Sequence, residues 1–159
     1  MFFDINNSSY PFKLADVKKL IIKICQSINF YKNSRISIAF VDNRTIKKLN
    51  RSYRKKNKQT TILSFAEKDA RADFFKKKER VKYLGEIIIS YPALAKQAIV
   101  KKSTIKKELG ILLTHGLLHL AGYDHQSKRQ ATRMERLENG IIKKIEKNKY
   151  AISKFKKSS

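Results

Sequence analysis

Hydrophobic and polar positions along the chain sort into nine stretches. "MFFDI" at the start reads as a short strand. After the turn-like "NNSSYP", residues 12–28 place Phe12, Val17, Leu20, Ile21, Ile24 and Ile28 near helical spacing. "RISIAFV" (35–41) alternates Ile36, Ile38 and Phe40, as a strand with one buried face does. Asp42 or Asn43 is placed to cap the following helix, "RTIKKLNRSYR". "TTILSFA" (60–66) is β-branched and apolar, a strand pattern. Residues 67–82 are polar, contain "KKKER", and predict a loop or hairpin. "YLGEIIISY" (83–91) is the strongest strand signal, closed by Pro92. "ALAKQAIVKK" and "TIKKELGILLTHGLLHLA" predict two helices, the second apolar nearly all round after Leu109 and therefore buried. Residues 127–148 form an amphipathic pattern through Met134, Leu137, Ile141, Ile142 and Ile145. Four strands and about five helices without regular βα alternation predict an α+β fold: a small mixed sheet packed with helices, one of them deeply buried.

The chain has 159 residues and is 42% hydrophobic, enough for one core. We expect one domain over residues 1–152 and a basic, disordered tail at 153–159. No apolar run approaches the roughly 18–20 residues of a membrane span, and no secretory signal opens the chain. Cys25 is the only cysteine, so an internal disulfide is excluded and a buried, inert thiol is expected. These features predict a cytoplasmic protein. Lys and Arg total 37 against 13 Asp and Glu, a net charge of +24. Such a field favours polyanions, nucleic acid foremost, although a Lys-rich composition also arises without a ligand.

All three histidines lie in "HGLLHLAGYDH" (115–125). Residues four apart on a helix differ by about 40° in azimuth, so His115 and His119 project from one face on successive turns. Gly122 can end that helix in the left-handed conformation and return His125 to the same point. Three neutral imidazoles leave a fourth tetrahedral position open, the arrangement of a catalytic zinc rather than a structural one. Metalloproteases with this spacing carry Glu directly after the first histidine as general base. Here that position is Gly116, which argues against peptide hydrolysis. Glu108 lies on nearly the same face as His115, either as a partner of the metal ligands or facing solvent. Asp124 either orients a histidine or caps the turn.

The histidine motif, with Gly116, Tyr123 and Asp124, resembles the signature of the YbeY family, bacterial rRNA maturation factors described as metal-dependent single-strand endoribonucleases. "LNRSYRKKNKQTTILSF" (49–65) and "YLGEIIIS" (83–90) resemble two further segments of that family, in its order. Gln59, Thr60, Thr61 and Ile62 stand where the family has Pro-Thr-Asp (or Pro-Thr-Asn) followed by Val, and Glu86 where it has Asp. The resemblance implies one zinc ion held by His115, His119 and His125, with catalysis carried by His115 and by Arg54, the arginine of its Tyr-Arg pair. It implies single-stranded RNA as substrate, processing of the 16S rRNA 3′ end, a role in ribosome quality control, and the small ribosomal subunit or its associated proteins as partners. A guanidinium suits the role, because its planar fork matches a phosphate and stays charged. The rival readings are a zinc hydrolase of another substrate such as peptide, a non-catalytic ribosome assembly factor, and a general polyanion-binding module.

Overall fold

The computed structural model describes residues 2–6, 13–28, 33–67 and 81–155. The elements run β1 (Phe2–Asn6), α1 (Leu14–Ser27), β2 (Ser34–Val41), α2 (Asn43–Arg54), β3 (Ile62–Ala66), β4 (Lys82–Ser90), α3 (Tyr91–Val100), α4 (Ile105–Leu120) and α5 (Lys128–Phe155). The α+β expectation of four strands and five helices is met, and each expected element is present within a few residues. Two differences stand out. The last helix continues to Phe155 rather than stopping at 148, and α1 begins at Leu14. Phe12, most of the expected 67–82 loop and positions 156–159 lie outside the described residues. Among the described residues no helix is long and apolar enough to cross a membrane.

Three of the helices, α2, α3 and α4, start where a side chain satisfies one of their first amides. Asp42 caps α2, accepting from the Thr45 amide at 2.6 Å, and its carboxyl is lowered chiefly by that bond. Ser90 caps α3, with Pro92 in its first turn, where a missing N–H costs nothing. Pro92 thus ends β4 by starting a helix. Thr104 caps α4, accepting from the Lys107 amide at 3.2 Å.

The strands form one sheet in the order β1-β2-β4-β3, with β1, β2 and β4 parallel and β3 antiparallel on the outer edge beside β4. Ile36, Ile38 and Phe40 of β2 with Ile87 and Ile89 of β4 face the larger core, which α1, α4 and α5 close. Ile88 and Leu63 point to the other face and pack under Ile46 of α2. The alternation is the strand's two-residue period read on both sides of the sheet. The pairing of β2 with β4 shifts after Arg35, which aligns with Tyr83 while Ile36 aligns with Gly85. Gly85 takes φ +137°, and a Cβ there would lie 2.1 Å from the Phe65 carbonyl oxygen, so only glycine fits the bulge.

Ten of the sixteen α4 residues are buried, as its apolar circumference predicts. Its close approach to the sheet depends on Gly116. A Cβ at 116 would come within 2.9 Å of Ile87 Cδ1, 3.1 Å of Ser64 Oγ and 3.2 Å of Ile62 Cδ1. The position that carries a glutamate in metalloproteases therefore faces the sheet here, with no room for one. Cys25 is buried on α1 with its thiol pushed up to about 12 by desolvation, the inert role expected of it.

Candidate metal centre

His115 and His119 lie on the last two turns of α4, and their Nε2 atoms stand 3.1 Å apart. The helix then ends in a glycine turn. Gly122 has φ +91° and donates its amide to the His119 carbonyl at 2.9 Å, while the Tyr123 amide reaches back to Leu118 O at 3.0 Å. This pair of bonds is the Schellman motif, and it turns the chain back over the helix end. His125 arrives three residues later, with ring centroids 5.0 Å from His119 and 5.9 Å from His115. One nitrogen from each of the three rings falls in a cluster whose members lie within 4.8 Å of one another.

These residues fit a metal ion. Bonds of about 2.0–2.1 Å at tetrahedral angles separate two nitrogens by roughly 3.3 Å, close to the spacing of the α4 pair. The far side of the His115 ring supports the same conclusion. Its Nδ1 lies 2.6 Å from Oε1 of Glu138 on α5. A proton held on Nδ1 by that carboxylate leaves the Nε2 lone pair free to bind a cation. Burial, then the neighbouring His115 and His125, lower the His119 pKa and favour its neutral, ligating form.

Asp124 acts on the turn: its Oδ1 accepts from the His125 amide at 2.7 Å, while the His125 ring nitrogen stays 4.0 Å away. That backbone bond is the main reason its carboxyl titrates below the usual range. Of the two expectations for Asp124, capping the turn is the one observed. Glu108 fits neither of its two. It is buried, and its Oε2 accepts from Gln97 at 2.9 Å and from Lys101 at 3.0 Å. It ties α4 to α3, two turns short of the histidines. Among the described residues, the carboxylate hydrogen-bonded to a histidine ring is that of Glu138, which sequence reasoning missed. A signal for it was present: Glu138 interrupts the apolar stripe of Met134, Leu137, Ile141 and Ile145, and a carboxylate on a buried stripe needs a partner.

Arg54, at the end of α2, joins the histidines in one cleft of about 520 Å³, walled by β3 through Ile62, Ser64 and Ala66 and by Tyr123 and Gln126 of the turn. Its Nη2 donates to the Ser64 carbonyl on the outer edge of β3 at 3.2 Å. Two neighbours hold α2 in place for this reach. Tyr53 packs its ring on Phe65 at 5.2 Å. Asn50, buried, donates to the Lys58 carbonyl at 2.8 Å and pins the loop after the helix. The Arg54 charge also depresses the His119 pKa, a smaller effect than burial or the other two rings. Glu86 points to the opposite face of the sheet, at the register of Phe65, and desolvation raises its carboxyl. It does not line the cleft.

With this geometry established, comparison with known proteins assigns the family. The family model described as endoribonuclease YbeY matches residues 3–146. The chain is 40% identical over 140 residues to endoribonuclease YbeY of Buchnera aphidicola, covering 86% of this chain and 83% of that one. It is 39% identical over 130 residues to the Persephonella marina protein of the same name, covering 81% of each. With the Macrococcus caseolyticus protein the identity is 32% over 141 residues, covering 89% and 91%. A solution structure of a Thermotoga maritima protein shares the fold, with a TM-score of 0.57 over 93% of each chain at 21% identity. A match across nearly the whole length, with the histidine trio in place, makes this chain a member of the endoribonuclease YbeY family.

Proposed function

We propose that this chain is a zinc-dependent, single-strand-specific endoribonuclease that matures the 3′ end of 16S rRNA and takes part in ribosome quality control. Its partners in this reading are rRNA and the small ribosomal subunit or proteins bound to it, in the cytoplasm. The observation that carries the reading is the convergence of three imidazoles and one guanidinium in a single cleft, in a chain of charge +24.

His115, His119 and His125 would hold one zinc ion, which when bound supplies Lewis-acid chemistry, polarising a phosphoryl oxygen and activating water. Glu138 keeps the His115 proton on Nδ1 and orients the ring. Arg54 is positioned to hold the scissile phosphate. Its Nη2 anchors the guanidinium to Ser64 O in the cleft wall, and the remaining N–H donors of the fork would bind the phosphate and offset charge that grows in the transition state. The β3 wall and Tyr123 limit how the strand can lie. Peptide hydrolysis by the usual metalloprotease route lacks its base, because Gly116 packs against Ile62, Ser64 and Ile87.

Metal content and cleavage of single-stranded RNA, measured together for wild type, His119→Ala and Arg54→Ala, test the proposal. Wild type should hold about one zinc per chain and cut RNA. His119→Ala should lose both properties while staying folded. Arg54→Ala should keep its zinc and lose at least about 100-fold in kcat/KM. Cleavage of a peptide library but not of RNA would refute the reading. So would full rRNA maturation by folded His119→Ala, the result the non-catalytic assembly factor predicts.

A further inference from the structure

The cations of α5 are not evenly spread. Arg129, Arg133, Arg136, Lys143 and Lys147, with Gly140 among them, recur at spacings of four, three, four, three and four. At about 100° per residue these positions form one stripe along the helix, and at about 1.5 Å per residue it is about 27 Å long. All six are exposed. The acidic residues of this stretch are kept off it. Glu138 turns inward to His115, and Glu146 pairs with Lys107 at 3.0 Å. Glu135 lies roughly 120° round the helix from the stripe. Among the described residues, no ion pair engages the five cations.

The stripe begins at the metal cleft. Tyr123 lines that cleft and also the adjoining groove formed by Lys128, Arg129, Thr132, Arg133 and Arg136. The Arg133 guanidinium lies 5.4 Å from the centroid of the Tyr123 ring, a cation–π arrangement that joins the two surfaces. An aromatic ring at the head of a line of cations suits a single strand, whose bases can stack while its phosphates follow the charge.

We infer that the single-stranded RNA flanking the cut site leaves the metal cleft across Tyr123 and runs along the α5 stripe. This rests on the endoribonuclease reading above and adds to it the path of the substrate. The stripe acts on binding and leaves the reacting atoms to the cleft, so it should govern KM and salt dependence rather than kcat.

The test uses the full chain loaded with zinc, a labelled single-stranded RNA of about twenty nucleotides, and a trinucleotide too short to leave the cleft. Three proteins are compared: wild type, Arg129→Gln/Arg133→Gln/Arg136→Gln, and a control, Lys18→Gln/Lys19→Gln/Lys96→Gln, whose three exposed lysines line neither groove. The stripe variant should raise KM for the long RNA at least about tenfold with kcat within twofold. It should also flatten the slope of log K against log salt by about 2, at roughly 0.7 per phosphate contact. Trinucleotide cleavage should be unchanged, and the control should move binding less than twofold. Equal losses in the two variants would mean a diffuse field and overturn the inference. An unchanged salt slope in the stripe variant would overturn it, as would an equal loss for an RNA duplex. If wild type neither binds nor cuts RNA, the endoribonuclease reading itself fails. If cleavage is normal and only the stripe variant is silent, the path alone is wrong.

Discussion

Replacing Glu138 with alanine is the most informative perturbation of the metal centre. The carboxylate meets His115 Nδ1 at 2.6 Å, short even for a charge-assisted hydrogen bond. Its removal leaves the ring free to rotate and to place its proton on Nε2, the atom a cation would need. Charge-assisted bonds contribute about 1.5–3 kcal/mol. Side-chain exposures of 36% for His115 and 25% for Glu138 let solvent screen the pair and point to the lower part of that range. A loss of about 1.5–2 kcal/mol weakens metal binding about 13- to 30-fold, within the range of about 10- to 100-fold typical when a partner of a metal ligand is removed. Zinc competition with a chromophoric chelator at neutral pH measures the Kd directly. Glu138→Gln should fall between wild type and alanine, because an amide oxygen still accepts from Nδ1–H but lacks the charge. Thermal melts of the metal-free proteins separate this role from simple packing between α4 and α5. A Kd for Glu138→Ala within twofold of wild type would refute the reasoning, as would a glutamine variant as impaired as the alanine one.

Two further predictions concern folding. Gly122→Ala meets no atom within 4 Å, so its cost is conformational: at φ +91° it should lose about 1–2 kcal/mol, lowering Tm by about 2–4 °C per kcal/mol. Gly140→Ala also meets nothing, but inside a helix, and should gain up to about 1 kcal/mol; the same melts showing equal signs for the two glycines would contradict the assignment. Glu108 would be raised by burial, but hydrogen bonds from Gln97 and Lys101 hold its carboxyl below the ordinary value, so its contribution is present at neutral pH and disappears as pH falls through the lowered folded-state pKa. Urea midpoints of wild type and Glu108→Gln should therefore differ at pH 7 and converge in acid, and a gap that widens on acidification would count against the pairing of buried Glu108 with half-exposed Lys101.

What the chain determines by itself is what depends on near neighbours. Helical periodicity put His115 and His119 on one face, and Gly122 marked the return that brings His125 to them, because both depend on bonds between residues at most a few positions apart. The cap of α2 was legible for the same reason, Asp42 being one of its two candidates, and so was the burial of α4, whose circumference is apolar. Strand order was not legible. β4 sits between β2 and β3, hydrogen-bonded along both edges, while helices cover its two faces, Ile87 with Ile89 on one and Ile88 on the other, and pairing between segments so far apart is settled only on assembly. Glu108 shows the same limit, since its helix face was evident but its partners on and just beyond α3 were not. Arg54 reaches the histidines because β3 lies at the sheet edge with its Ser64 carbonyl turned outward, and Glu138 reaches His115 across 23 residues because α5 packs on α4. Local sequence set the three histidines and their spacing. The tertiary structure chose the carboxylate that orients one of them and the guanidinium that faces them, because those contacts join segments that meet only when the core closes.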